Sequence, residues 1–270
     1  REKRPLGAFL FDAIFRSHIC GAIKAETMMP DPVYAIGDIH GQYEELQRVL
    51  GLIAADGGPD AQIVFLGDYV DRGPDSRAVV QALIEGVEAG RNWHPIKGNH
   101  DRYFTRFLTD QTIYDPATSP DLFWFNPRLG GDKTMGSYGV EAEDGAPVGP
   151  IHTAARAVVP QHHLDFLRHL PLVHQEADLL FVHAGLRPGI PLSRQAEDDL
   201  VWIRQGFLDC AEPFDWLVVH GHTALDYPEH AGNRVNLDGG AGYFRPLHAA
   251  VFEAGSCWLL SESGRIALTP

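Results

Sequence analysis

Five short polar clusters, each following an apolar run, carry the residues of this chain that can do chemistry. They are Gly37-Asp38-Ile39-His40-Gly41, Gly67-Asp68-Tyr69-Val70-Asp71-Arg72-Gly73, Gly98-Asn99-His100-Asp101, His183-Ala184-Gly185 and His220-Gly221-His222. Together they offer carboxylate, amide and imidazole donors, the oxygen and nitrogen set that takes divalent metals. An aspartate such as Asp68 can bridge two ions held about 3.5–4 Å apart. Arg72, in the same loop, presents a planar fork that grips phosphate oxygens bidentately, which a lysine cannot do. Two metals and a guanidinium make a site for splitting phosphate esters by in-line displacement.

Each cluster also has an ordinary reading. Asp38 and His40 are a turn aspartate and a surface histidine, or two side chains on one face of an extended strand end. Asn99 is a helix cap, or a ligand whose carbonyl oxygen adds no negative charge. His100, its neighbour, points elsewhere and is free to act as a general acid. Asp71 extends from the Asp68 loop, and His183 and His222 add imidazoles. His220 either supports the site or belongs to the core. The ordinary readings explain the clusters singly, but not their recurrence at one kind of place.

That place is the end of a strand. Val33 to Ile36, Ile63 to Leu66, Trp93 to Lys97, Leu179 to Val182 and Trp216 to Val219 are short β-prone runs, each leading into a cluster. After the first two loops, Leu46, Val49, Leu50 and Ile53, then Val79, Val80, Leu83, Ile84 and Val87, recur at helical spacing. Alternating strands and helices predict an α/β fold, whose ligands bind beyond the carboxyl ends of the strands. Val235 to Leu237, Ala249 to Phe252 and Cys257 to Leu260 predict a closing β-meander. Residues 103–160, rich in aromatics, Pro and Gly, are a candidate lid or substrate wall within a single domain over 31–265. Residues 1–30 read as a short amphipathic helix, because Asp12, Arg16 and His18 interrupt the apolar run of a signal peptide.

With 36 acidic and 22 basic residues the chain carries a formal charge of −14, which disfavours nucleic acid as a partner unless a local basic patch overrides it. The only Lys/Arg-rich run is Arg1-Glu2-Lys3-Arg4. No run approaches the roughly 18 apolar residues of a membrane span. Cys20, Cys210 and Cys257 are odd in number and widely spaced, which fits neither a disulfide framework nor a cysteine zinc site and points to a cytoplasmic location.

In order and spacing the clusters resemble the calcineurin-like metallophosphoesterases, specifically their phosphoprotein phosphatase branch, from about Val33 to Phe252. The resemblance implies a central β-sandwich of two mixed sheets flanked by helices, with a dinuclear metal site at the strand ends. It implies that Asp38, His40 and Asp68 hold one ion and that Asp68, Asn99, His183 and His222 hold the other. His100 would protonate the leaving oxygen, Asp71 would orient His100, and Arg72 would clamp the phosphoryl group. Arg204, in Trp202-Ile203-Arg204, looks like the second clamp. Manganese is the expected metal, with iron or zinc able to use the same ligands. The stretch Leu129 to Gly139 is similar to compact bacterial members, which include serine/threonine phosphatases and diadenosine tetraphosphate hydrolases. The expected activity is hydrolysis of phosphoserine and phosphothreonine, extending to phosphotyrosine, by a metal-activated hydroxide attacking in line. The alternatives are a dinucleoside polyphosphate hydrolase and a silent binding scaffold.

Overall fold

Strands that are apolar along their whole length bury both faces, and the chain arranges its layers accordingly. A computed structural model describes residues 31–270. The expected helix within 1–30 lies outside the described residues. In β1 (Val33–Ile36), Val33 and Ala35 enter the core between two sheets, while Tyr34 and Ile36 face a helical layer. After α1 (Tyr43–Gly57), β2 (Gln62–Phe65) repeats the alternation, with Val64 inward and Ile63 and Phe65 toward the helices. Each such fully buried side chain contributes about 1.5–3 kcal/mol.

The chain continues through α2 (Ser76–Glu88), β3 (Trp93–Pro95), α3 (Asn99–Asp110), α4 (Gly131–Ser137), α5 (Val148–Val158) and α6 (Gln161–His169). Then come β4 (Val173–Glu176), β5 (Leu179–Val182), α7 (Glu197–Trp202), β6 (Leu217–His220), β7 (Glu229–His230) and β8 (Arg234–Asn236). It closes with β9 (Ala249–Glu253), β10 (Ser256–Ser261) and β11 (Gly264–Ala267). One sheet has the order β11-β10-β9-β1-β2-β3 and the other β4-β5-β6-β8-β7. Both are mixed: β1, β2 and β3 run parallel, as do β5, β6 and β8, while β9, β4 and β7 pair antiparallel. The sandwich of two mixed sheets flanked by helices is therefore the observed architecture. Among the described residues, no helix is long and apolar enough to cross a membrane.

Two regions differ from the sequence reading. Val235 does not begin a meander: β8 joins the second sheet beside β6, where Val235 and Leu237 fill the inter-sheet core, leaving β9, β10 and β11 as the meander. Within 103–160 the chain is more regular than its composition indicates. It includes most of α3 together with α4 and α5, and Trp124 and Phe125 are buried against Phe107.

Candidate active site

The parallel strands bring all five clusters to one end of the sandwich. Their backbone is held in an uncommon state: His40, Asp68, Asp71, Arg72 and His222 have φ of 48°, 53°, 74°, 66° and 65°. Left-handed backbone at non-glycine residues costs on the order of 1–3 kcal/mol each and persists only where surrounding contacts enforce it. Asp101 is one enforcer. Its carboxylate accepts the backbone N–H groups of Gly98, Asp68 and Tyr69, each at 2.9 Å, and so ties the second loop to the third. The His40 N–H donates to the Asp68 carbonyl at 2.8 Å, tying the first loop to the second. At Gly98 a Cβ would collide with the Asp68 carboxylate, so glycine is required there by the close approach.

The imidazoles are oriented from behind. His40 Nδ1–H donates to the Val70 carbonyl at 2.9 Å and His183 Nδ1–H to the Leu66 carbonyl at 2.7 Å, which leaves both Nε2 lone pairs facing inward. His183 Nε2 lies 3.4 Å from Asp68 Oδ1, and His40 Nε2 lies 3.5 Å from Asp68 Oδ2. Asn99 Oδ1 is 2.8 Å from both His183 Nε2 and His222 Nδ1. Asn99 Oδ1 and the His183 Nε2 lone pair repel one another at this distance unless a cation lies between them.

The electrostatics fit the same occupant. Burial pushes the Asp68 carboxyl up to about 7. Burial, with Asp238 and Asp68 nearby, raises Asp38 well above the usual carboxylate range. Burial also holds His183 down at about 4 and keeps His40 and His222 well below the ordinary histidine value. Buried carboxylates short of positive charge, beside neutral imidazoles, form a donor set that divalent ions complete.

Two groups have ligand atoms within 4.8 Å of one another: His40, Asp68 and His100, and Asp68, His183 and His222. Asp68 belongs to both, the position a bridging ligand needs. Asp38, expected as a ligand, falls in neither group; its carboxylate accepts the His222 N–H at 3.0 and 3.2 Å.

His100 sits where proton transfer would need it. Its Nδ1–H donates to Asp71 Oδ2 at 2.6 Å, and its Nε2 is 4.0 Å from Asp68 Oδ2. Arg72 Nη1 and Nη2 donate to the Nε2 atoms of His40 and His100 at 2.7 and 3.2 Å. A guanidinium has no acceptor, so both Nε2 atoms are unprotonated in this arrangement. Arg204 lines the same cavity of about 380 Å³ as Asp68, Arg72, Asn99, His100 and His222, and donates from Nη2 to the His222 carbonyl at 3.2 Å. His220 is fully buried against Phe207 and belongs to the core.

Some residues of the site were not read from the sequence. Trp124 Nε1–H donates to Asp71 Oδ2 at 2.8 Å and the Thr134 hydroxyl to Oδ1, so both fix the carboxylate that orients His100. Neither has a local signal, since only tertiary packing brings them to Asp71. Asp101 had one: Gly98 to Asp101 is the spacing of a helix N-cap and its third residue. Arg128 and Arg245, which line the cavities beside the ligands, are too scattered along the chain to register as a basic run.

A two-sheet α/β sandwich with converging Asp, Asn and His donors and a guanidinium beside them is the architecture of the metal-dependent phosphoesterase class. The family model of the calcineurin-like phosphoesterases matches residues 31–252, and the chain belongs to that family. It is 33% identical over 164 residues to a symmetrical bis(5'-nucleosyl)-tetraphosphatase of Dechloromonas aromatica, a match covering 61% of this chain and 47% of that one. It is 25% identical over 236 residues to an asymmetrical bis(5'-nucleosyl)-tetraphosphatase of Bacillus velezensis, covering 78% and 85%. The chain thus spans about half the length of the symmetrical relatives it matches. Among solved structures it resembles a candidate diadenosine tetraphosphatase with a TM-score of 0.60 and 23% identity, covering 85% of this chain and 93% of that one. It also resembles a cold-active protein-tyrosine phosphatase of a Shewanella species with a TM-score of 0.56 and 16% identity, covering 88% and 80%. At these identities the two structural likenesses show the fold alone.

Proposed function

We propose that this phosphoesterase hydrolyses dinucleoside polyphosphates of the diadenosine tetraphosphate type, rather than the phosphoserine and phosphothreonine esters expected first. The names of the sequence relatives support this reading. One observation carries it: two cavities meet at the clamp. The cavity holding His100 continues to Arg128, and a second, of about 400 Å³, shares Arg72, Arg204, His222 and Tyr243 with it and continues to Arg245. Attack on a terminal phosphate fills one side of the reacting phosphorus, whereas attack on an internal phosphate of a chain needs room and countercharge on both. A phosphoserine monoester would leave one cavity without an occupant.

When bound, two divalent ions, manganese being our choice for these hard Asp and Asn oxygens, supply a water of lowered pKa and positive charge at the phosphoryl oxygens. Asp68 would bridge them, with His40 and Asp38 on one side and Asn99, His183 and His222 on the other. Arg72 and Arg204 hold the phosphoryl oxygens and stabilise charge as it spreads over them. With a phosphoryl group drawing Arg72 away, His100 Nε2 takes the proton given up by the attacking water and passes it to the departing oxygen, while Asp71 keeps its ring in register through Nδ1–H.

Side-by-side rates on diadenosine tetraphosphate, a phosphoserine peptide and a phosphotyrosine peptide, with manganese added to metal-stripped protein, test the reading. The kcat/KM for the dinucleotide should exceed both others by at least about tenfold. A phosphopeptide preferred over the dinucleotide overturns it.

A further inference from the structure

We infer that Tyr243 and Arg245, which line the second cavity, and the exposed Phe244 between them form a nucleotide subsite holding the arm of the substrate that stays attached to the attacked phosphorus. The inference rests on the dinucleoside polyphosphate reading and adds which residues take which half. His100 lines the first cavity and not the second, so the departing half lies in the first and the retained half in the second.

The loop after β8 is built to reach that place. Gly242 packs so closely on the His40 ring and the Arg72 side chain that a Cβ there would collide with both. Tyr243, the next residue, lies with its ring 5.0 Å from the Arg72 guanidinium and lines both cavities. Arg245 lines the second cavity and, among the described residues, pairs only with Asp226, at 2.9 Å, and with the Leu225 carbonyl. Asp226 is 93% exposed, so that ion pair is weak and a phosphate can replace it at little cost.

Phe244, between them, is 75% exposed and has φ of 61°. That backbone caps the short Ala241–Tyr243 turn, with the Phe244 N–H donating to the Ala241 carbonyl at 2.9 Å, but a bulky ring left in water there has no folding rationale. A ring offered for stacking on a nucleobase has one. Tyr243 and Phe244 together present 56% and 75% exposed aromatic residues beside a cation, which matches a nucleobase followed by phosphate.

The test compares Phe244→Ala, Phe244→Gly and Arg245→Ala with the unaltered chain on diadenosine tetraphosphate and on p-nitrophenyl phosphate, which has no second arm. The ratio of KM for the dinucleotide to KM for the aryl phosphate should rise about tenfold in each variant, the range of one lost base stack or phosphate contact. Arg245→Lys should recover part of the loss. Phe244→Gly should show the same kinetic defect with an unchanged or higher Tm, since glycine relaxes the φ. An unchanged ratio overturns the subsite while leaving the proposed function intact, and so does an equal loss on both substrates. If the unaltered chain turns over the aryl phosphate but not the dinucleotide, the proposed function falls, and the subsite with it.

Discussion

The two ends of the sandwich hold cavities of similar size and opposite character. At the end where β1 and β2 begin lies a space of about 430 Å³, slightly larger than either cavity at the end where the Asp, Asn and His donors converge. Its described lining includes Asp31, Glu176, Asp178 and Glu253, with His230 but no arginine. Left-handed residues occur at both ends, yet for different reasons. Ala177 and Ala254 lie in the two-residue turns joining β4 to β5 and β9 to β10, where a hairpin demands positive φ. His40, Asp68, Asp71, Arg72 and His222 sit in longer loops, and their side chains meet across chain distances no turn requires. Volume and strain do not mark a site separately; convergent donors on enforced backbone do.

The sharpest way to break this contrast is Asp68→Asn. It touches both ligand groups, and aryl phosphate hydrolysis should fall by at least about 10³-fold, as on treatment with a chelator. A Glu253→Gln change at the opposite end should stay within about twofold. Comparable losses at both ends, or full activity after metal removal, would erase the distinction.

A middle-sized effect separates proton delivery from ion binding. His100→Asn should lower kcat by about 10²–10⁴ with metal content nearly intact, the loss shrinking for a nitrophenolate leaving group that needs no proton. Trp124→Phe removes one donor from Asp71 and should cost roughly tenfold with the same leaving-group pattern. A loss independent of the leaving group, measured on alkyl and nitrophenyl esters, counts against the assignment.

The smallest effect is a pH dependence of thermal stability. In metal-free protein, Asp68 is raised to about 7, so its contribution is present below the unfolded value of about 3.9 and is lost as pH rises through 7. His183, lowered to about 4, acts oppositely: its contribution is present above about 6.5 and is lost as pH falls toward 4. Above about pH 7 both groups are in the form that binds metal, so added Mn²⁺ should raise Tm by a few degrees more at pH 8 than at pH 6. Scanning calorimetry at the two pH values checks this, and equal increments would remove Asp68 from the ligand set.

Much of the arrangement was legible because it is local. Apolar runs ending in glycine-bracketed polar loops announce themselves, and the five strand-end clusters lie together as their spacing implies. What was hidden is what only folding creates. The partners of Asp71 come 53 and 63 residues later, from a stretch whose composition resembles loop. Arg72, Arg128, Arg204 and Arg245 make a basic cleft on an acidic chain without forming any run. β8 was misassigned because its apolar pattern suits either sheet, and the sheet was chosen by its parallel pairing with β6.

The hydrogen bond from His222 N–H to Asp38 spans 184 residues, and that from His183 to Leu66 spans 117. Such separations place the closing of this site late in folding, after the entropy of closing loops of 117 and 184 residues has been overcome. On the ribosome, where residues emerge at about 5–20 per second, the first hundred residues expose Asp38, His40, Asp68 and Asn99 well before either later imidazole exists. A nascent chain therefore offers metal only a partial, weakly competing set of donors. Completion of the second sheet is what assembles the full donor set, so a product interrupted before it lacks His183 and His222.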